Sequence, residues 1–148
     1  QMRAQIAPMN ASANEGGRAD TAADPEWHER FAQALASRDL ETYLAFLHDD
    51  CTLQINNGLP LYGKLAIRAS YAAYLQTFRS LRTEIIALMS VDRQSTVEAL
   101  LHYVCIDGTS EVVQCAYLLD HDENGLATSV RVYGNAGRVF KPFMSAKA

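Results

Sequence analysis

The strongest constraint on the fold is a set of four long segments with alternating apolar and polar residues in the second half of the chain. Tight polar turns separate them, and Asp107-Gly108 is the clearest hairpin signal among these turns. Consecutive strands joined in this way predict an antiparallel meander. The predicted strands cover residues 81–91, 97–106, 110–120 and 126–134.

The first half of the chain has helical periodicity instead. Asp24-Pro25-Glu26 is typical of a helix start, because Asp can cap the helix, Pro suits its first position and Glu suits its dipole. The apolar stripe that follows is formed by Trp27, Phe31, Ala34 and Leu35. A short second helix through Leu47, a brief strand over 51–55 and a third helix over about 63–78 come next. Helices followed by a meander predict an α+β fold in which three N-terminal helices cover one face of a curved antiparallel sheet.

A chain of 148 residues favours one domain, which we place at residues 24–148. Residues 1–23 are rich in Ala, Asn and Gly and have no periodic apolar face. We therefore expect them to form an N-terminal extension outside the fold; a linker or an expression remnant is an equally open interpretation.

Composition excludes several classes of partner. The net charge of −4 argues against nucleic acid, and no apolar run approaches the ~20 residues of a membrane helix. Three cysteines (Cys51, Cys105 and Cys115) without CxxC spacing indicate buried thiols in a reducing cytoplasm. Metal-ligand spacing and Gly-rich phosphate loops are both missing from the sequence, so we expect no metal and no cofactor.

The hairpin at Asp107-Gly108 predicts which side chains share a face. A two-residue turn places Ile106 opposite Thr109, and opposite residues point to the same side of a sheet. One predicted face is then apolar except for an imidazole and a phenol, and consists of Leu100, His102, Val104, Val113, Cys115 and Tyr117. The other face is also too apolar for solvent, and consists of Leu101, Tyr103, Cys105, Val112, Gln114 and Ala116. We expect the helices to cover one face and the partner subunit of a homodimer to cover the other.

The order of elements resembles the nuclear-transport-factor-like superfamily, which includes SnoaL-like polyketide cyclases and ketosteroid isomerases. The likeness is carried by "FAQALASRDLETYLAFLHDDCTL" (31–53), "YGKLAIRASYAAY" (62–74) and "ENGLATSVRVYG" (123–134), and it covers roughly residues 25–140. It implies a cone-shaped sheet with a pocket for a hydrophobic polyketide-, terpenoid- or steroid-like molecule. These motifs specify the fold and not the reaction, because members differ in the side chains that point into the cone.

Only some catalytic groups of these relatives have a counterpart here. The general base of ketosteroid isomerases matches Ile55, which cannot take a proton, and their helix-one tyrosine matches Phe31. Their oxyanion-donating acid matches Tyr117, whose phenol could keep the donor role. The final-strand aspartate of limonene-type epoxide hydrolases matches Val132, and the strand histidine of scytalone dehydratase matches His102.

His102 has two interpretations, a core histidine or a pocket acid/base. An imidazole exchanges protons near pH ~6.5, and two polar groups converging in an apolar cavity are the usual pattern of an active site. One hypothesis is therefore a cofactor-free isomerase, cyclase or dehydratase with His102 as general acid/base and Tyr117 as oxyanion donor. The alternatives are a non-catalytic binding module for a hydrophobic small molecule and a limonene-type epoxide hydrolase. The expected pocket wall is Trp27, Phe31, Leu53, Ile55, Tyr71, Leu100, Val104, Cys115, Val130 and Val132.

Overall fold

A computed structural model describes residues 21–135 and 137–144. It has four α-helices and six strands within these residues, with short 3-10 turns at Thr21–Ala23 and Gly137–Phe140. The elements in chain order are α1 Pro25–Ala36, α2 Leu40–Leu44, β1 Leu47–Ile55, β2 Leu61–Tyr62, α3 Lys64–Leu75, β3 Phe78–Val91, β4 Gln94–Cys105, β5 Ser110–His121, β6 Ala127–Gly134 and α4 Lys141–Met144.

The strands form one curved, open sheet in the order β2-β1-β6-β5-β4-β3. Neighbouring strands are antiparallel except β1 and β6, which run parallel with Leu53 beside Val130 and Ile55 beside Val132. The predicted α+β class and the meander β3–β6 are confirmed. The parallel pairing places β1 beside β6 and so extends the curved sheet around the space that the helices cover.

The helices begin where the sequence indicates. The Asp24 carboxylate accepts a hydrogen bond from the Glu26 backbone N–H at 2.9 Å, and Pro25 occupies the first turn of α1. The Asp39 carboxylate caps α2 in the same way by accepting from the backbone N–H groups of Glu41 and Thr42. The second predicted helix is shorter than expected, because α2 ends at Leu44 and β1 already begins at Leu47.

The hairpin between β4 and β5 differs from the prediction by one residue. The Gly108 N–H donates to the Cys105 carbonyl oxygen at 2.9 Å, and the Cys105 N–H donates to the Thr109 carbonyl oxygen at 2.8 Å. The loop therefore has three residues, 106–108, of which only Gly108 has a left-handed φ, at 90°. A two-residue type I′ turn needs positive φ at both central positions, whereas a type I turn followed by one left-handed residue gives the three-residue loop observed here.

This extra loop residue shifts the register of the hairpin by one residue relative to the prediction. Val104 pairs with Ser110, His102 with Val112, and Val97 with Tyr117. Because successive side chains of a strand alternate between faces, a shift of one residue exchanges the faces of β4 relative to β5. The prediction that His102 and Tyr117 share a face is wrong.

The two faces of the sheet can now be assigned. The inner face, under the helices, carries buried residues of both strands: Val97, Ala99, Leu101, Tyr103, Cys105, Val113, Cys115, Tyr117 and Leu119. The outer face carries Leu100, His102, Val104, Val112, Gln114 and Ala116. Leu100 and Val104 thus lie on the opposite side of the sheet from the expected pocket, and Tyr103 lies inside rather than outside.

Both ends of the described chain pack on the fold. Thr21 and Ala22, which were predicted to belong to an extension, are buried, and the Thr21 hydroxyl lies 3.2 Å from Nδ1 of His121. Residues 1–20 lie outside the described residues. At the other end Val139, Phe140 and Phe143 are buried, although no sequence pattern predicted a C-terminal helix. A Cβ on Gly58 would clash with the Phe143 carbonyl oxygen, so the small residue allows this segment to close over the sheet.

Within residues 21–135 and 137–144, the longest helices have 12 residues, and none has the length and apolar composition needed to cross a lipid bilayer.

Candidate active site

A cavity of about 60 Å³ lies between the inner face of the sheet, α1, α3 and the C-terminal segment. Its wall is almost entirely apolar and contains no Asp, Glu, His, Lys or Arg side chain among the described residues. The wall consists of Phe31, Ala32, Leu35, Tyr43, Ile55, Tyr71, Tyr74, Thr83, Leu101, Cys115, Tyr117, Val130, Val132, Phe140 and Phe143.

The structure places the expected pocket residues in three locations: the cavity wall, the core beside it and the outer face of the sheet. Six of them lie on the cavity wall: Phe31, Ile55, Tyr71, Cys115, Val130 and Val132. Trp27 and Leu53 are buried in the core beside the cavity, but neither forms part of its wall. Leu100 and Val104 are on the outer face because of the hairpin register.

Tyr117 is the candidate donor of this cavity. It lies in β5 between Val97 of β4 and Val132 of β6, on the same row of the sheet as Ile55 of β1. Its side chain is 8% exposed, and no residue in the described part of the chain hydrogen-bonds to its hydroxyl. Burial, with smaller contributions from Cys115 and then Glu29, holds the pKa of the Tyr117 phenol well above its usual range. The phenol therefore remains protonated and available as a hydrogen-bond donor.

The other phenols of the site are already paired. The Tyr43 hydroxyl donates to the Tyr71 hydroxyl at 3.0 Å, and the hydroxyls of Tyr74 and Tyr103 share a hydrogen bond of 2.6 Å. Burial raises the pKa of Tyr71, and burial followed by the proximity of Tyr71 raises that of Tyr43. In the first pair Tyr71 is the acceptor, so its own O–H is a second polar group on the wall that this hydrogen bond does not use.

Cys115 is the thiol on the cavity wall, and burial raises its pKa to about 12. A thiol with so high a pKa carries almost no thiolate near neutral pH and is a poor nucleophile. Cys51, which is also buried, has its pKa raised to about 12 by burial. The three cysteines are free thiols and all are buried.

Glu29 was not among the predicted site residues. It lies on α1 one helical turn before the wall residue Ala32, and its Oε1 atom is buried without a hydrogen-bond partner in the described residues. Its negative charge is a contribution to the raised pKa of Tyr117, ranked after burial and Cys115. The sequence signal was weak: Glu29 precedes Ala32 and Ala36 by three and seven residues, next to the apolar stripe rather than within it.

His102 lies on the outer face of β4. Its Nε2 atom is 3.1 Å from Oε1 of Glu84 on β3, and both side chains are 27% exposed. The sheet itself separates His102 from the cavity wall on the inner face. General acid/base catalysis by His102 stays a prediction, but it would require a substrate on the outer face of the sheet.

A family model described as a SnoaL-like domain matches residues 28–130, which is more than half of the chain. The chain belongs to the SnoaL-like domain family. This confirms the superfamily that the sequence resembles.

Solved structures share the fold of this SnoaL-like chain at low sequence identity. A hypothetical protein of ketosteroid-isomerase-like fold from Catenulispora acidiphila, in complex with trimethylamine, is 19% identical with a TM-score of 0.69, over 80% of this chain and 92% of that one. An LEH-like epoxide hydrolase of M. tuberculosis is 17% identical with a TM-score of 0.64, over 78% and 85% of the two chains. The epoxide hydrolase/cyclase-like enzyme SalBIII, which has a role in pyran ring formation in the polyether salinomycin, is 13% identical with a TM-score of 0.64, over 71% and 84%. At these identities the likeness establishes the fold alone.

No curated protein matches this SnoaL-like chain significantly. Over residues 21–135 and 137–144, no group of three His, Cys, Asp or Glu side chains is arranged to hold a metal ion. The chemistry of the site must therefore be inferred from the cavity and the groups beside it.

Proposed function

We propose that this SnoaL-like protein is a cofactor-independent acid/base enzyme, an isomerase, cyclase or dehydratase, that acts on a hydrophobic carbonyl compound. The observation that carries the proposal is the Tyr117 hydroxyl, which has no partner in the described residues and lies in an apolar cavity. A phenol held in its neutral form can donate to a carbonyl oxygen and bind the enolate that forms from it more strongly than the ketone. The apolar surroundings strengthen such a hydrogen bond, because little water competes for it.

The size of the cavity limits the substrate. Ligand pockets for drug-sized molecules measure roughly 300–1,000 Å³, several times the cavity of about 60 Å³. A polyketide-, terpenoid- or steroid-like substrate therefore needs Phe140 and Phe143 to move outward, since these two side chains belong to the short C-terminal segment that closes the wall.

Proton transfer can be tested before the natural substrate is known. The experiment incubates the protein with a panel of cyclic ketones and β-keto esters in D₂O and follows loss of the α-proton signals by NMR. We expect exchange above the buffer rate for at least one apolar member. Tyr117→Phe should slow it by about 10²–10³-fold, the usual effect of removing one oxyanion donor. Tyr62→Phe is the matched control, because that phenol is 72% exposed and outside the cavity.

The proposal fails if no member of the panel exchanges faster than in buffer. It also fails if Tyr117→Phe exchanges as fast as the wild type. Binding of an apolar ketone without any exchange would instead favour a non-catalytic binding module. Limonene-type epoxide opening receives no support from the cavity wall, because Val132 and Ile55 supply no carboxylate there.

We further propose that the protein is a homodimer through the outer face of its sheet. Met89, Val112 and Tyr133 are about half exposed there, at 57%, 58% and 49%. Beside them is a shallow groove lined mainly by small, apolar and uncharged side chains. A second copy seated on this face would remove about 800 Å² from each subunit in an interface of ordinary size. The buried free cysteines are consistent with a reducing compartment such as the cytoplasm.

Sedimentation velocity at micromolar concentration tests the dimer. We expect the wild type to sediment as a dimer and Val112→Glu to sediment as a monomer, because a charge in the interface would be desolvated. Leu65→Glu is the control, since Leu65 is 82% exposed on α3, away from the sheet face. A monomeric wild type would contradict the proposed assembly.

A further inference from the structure

Among residues 21–135 and 137–144, the cavity wall supplies a hydrogen-bond donor but no general base. Ile55 and Val132 lie on the same row of the sheet as Tyr117, and neither can accept a proton. The pKa of the Cys115 thiol is about 12, so this thiol stays protonated near neutral pH and cannot accept a proton. If the proposed proton transfer occurs, the base must come from a residue beside the wall.

Glu29 is the carboxylate in that position. It is on α1, one turn before Ala32, and Ala32 belongs to the wall together with Phe31 and Leu35. Residues three apart on a helix are neighbours on its surface, so the Glu29 side chain starts next to the part of the wall that Ala32 forms. The methyl side chain of Ala32 also leaves space that a larger residue at this position would fill.

The surroundings of Glu29 differ from those of its neighbour on the same helix. Glu26 is exposed and faces Arg30 at 4.0 Å, as expected of a solvated surface residue. The Oε1 atom of Glu29 is instead buried and has no hydrogen-bond donor among residues 21–135 and 137–144. Leaving a carboxylate oxygen buried and unpaired costs stability, so a structural role gives no reason for it.

We infer that Glu29 is the general base of the site and that it works with the Tyr117 hydroxyl on a substrate carbonyl. This inference rests on the proposed function and adds its substrate class, an apolar ketone or β-dicarbonyl with an acidic α-proton. The unpaired Oε1 atom of Glu29 accepts the α-proton, and the Tyr117 phenol donates a hydrogen bond to the enolate oxygen.

The step balances without a co-reactant. The C–H bond next to the carbonyl breaks and its proton forms an O–H bond on Glu29. The electron pair forms the enolate C=C bond, while the carbonyl π pair moves to the oxygen bound by Tyr117. With a β,γ-unsaturated ketone the enolate is a dienolate, and return of the proton to its γ-carbon moves the C=C bond, regenerates the Glu29 carboxylate and completes an isomerisation. If the enolate instead expels a β-hydroxyl group, which takes the proton as water, the product is that of a dehydration.

Glu29→Gln tests the base, because glutamine has the same shape and cannot accept the proton. The readouts are the α-proton exchange of the ketone panel in D₂O, the KM for the best panel member, and the urea midpoint. We expect exchange to fall by about 10²–10⁴-fold, KM to stay within threefold, and the urea midpoint to equal or exceed that of the wild type, since a buried unpaired charge is removed. Glu26→Gln is the matched control and should exchange at the wild-type rate.

The possible results separate this inference from the proposed function. If the wild type exchanges and Tyr117→Phe is slow, but Glu29→Gln exchanges within threefold of the wild type, then Glu29 is not the base and the proposed function survives. A slow Glu29→Gln with a lower urea midpoint shows a structural role and also overturns the inference. If the wild type does not exchange any ketone of the panel, the proposed function fails and the base assignment fails with it.

Discussion

His28 should make the stability of the fold depend on pH. The ring is fully buried on α1, and its Nε2–H donates to the Ala22 carbonyl oxygen at 3.1 Å. Its Nδ1 atom is buried and has no hydrogen-bond partner in the described part of the chain. Burial, opposed by the hydrogen bond to Ala22 and reinforced by the nearby His121, lowers the pKa of His28 from 6.5 to about 4. The neutral ring fits this site, whereas a protonated ring would bury a charge and an N–H group without an acceptor.

The size of the effect follows from linkage between protonation and folding. Since the pKa is lower in the folded state than in the unfolded chain, the unfolded state binds a proton first as the pH falls. The stability contribution is complete above pH ~6.5, decreases between pH ~6.5 and about 4, and does not change further below that. At about 1.4 kcal/mol per pH unit the full loss is about 3 kcal/mol, of which about 2 kcal/mol is lost between pH 7 and pH 5.

Urea unfolding at pH 5, 6 and 7, followed by fluorescence, measures this loss. Trp27 is the single tryptophan of the chain, is buried, and lies with its ring centroid 5.0 Å from that of His28. His28→Gln retains an N–H donor for the Ala22 carbonyl but cannot titrate. We expect the wild type to lose about 2 kcal/mol more than His28→Gln between pH 7 and pH 5.

The control is His48→Gln, because His48 is half-buried at the start of β1 and its Nδ1 accepts from the Asp50 backbone N–H at 2.9 Å. Its pH profile is measured beside those of the wild type and His28→Gln. Identical pH profiles for the wild type and His28→Gln would refute the reasoning, since other titrating groups, including Asp24 and His121, are present in both proteins.

Two further predictions concern the site and its cover. His102→Gln should leave ketone exchange within twofold of the wild type. It should change the free energy of unfolding by less than about 1 kcal/mol, because it removes only a partly exposed pair with Glu84. A hundredfold loss of exchange would show instead that His102 takes part in catalysis. Phe143→Ala should lower the free energy of unfolding by about 3–5 kcal/mol and raise kcat/KM for bulky ketones relative to cyclohexanone, because Phe143 closes the wall against Tyr71. An unchanged preference would show that large substrates enter by another route.

Local signals were sufficient for α1 and for the four strands of the meander. The Asp24 cap, Pro25 and the stripe containing Trp27 and Phe31 located α1 closely, because capping and amphipathic spacing act within a few residues. The strands β3–β6 followed from alternation in the same way. The parallel pairing of β1 with β6 was not predicted, since residues 47–55 and 127–134 are far apart in the chain and no local pattern joins them.

The arrangement of the candidate site depends on the register between strands, which local sequence patterns predict less well. Tyr117 was placed correctly on the inner face, because its strand faces inward at Val113, Cys115 and Leu119 as well. His102 was placed wrongly because Asp107-Gly108 is compatible with loops of two or three residues, and one residue decides which side chains enter the cavity. Sequence patterns therefore predicted the strands of the site, but not which residues of β4 and β5 share a face of the sheet.

Glu29, the proposed general base, was harder to predict from the sequence than Tyr117, the proposed hydrogen-bond donor. It is one of 17 acidic residues, and its position beside the stripe of α1 is also that of an ordinary solvated glutamate such as Glu26. What distinguishes it is a buried oxygen without a partner, a property that arises only when α1 is packed over the sheet. The same packing leaves a cavity wall without charged side chains among the described residues, with Tyr117 on it and Glu29 one helical turn from its residue Ala32. The proposed proton transfer at carbon requires both a donor on the sheet and an acceptor on the helix that covers it, whereas either group alone would serve only to bind a ligand.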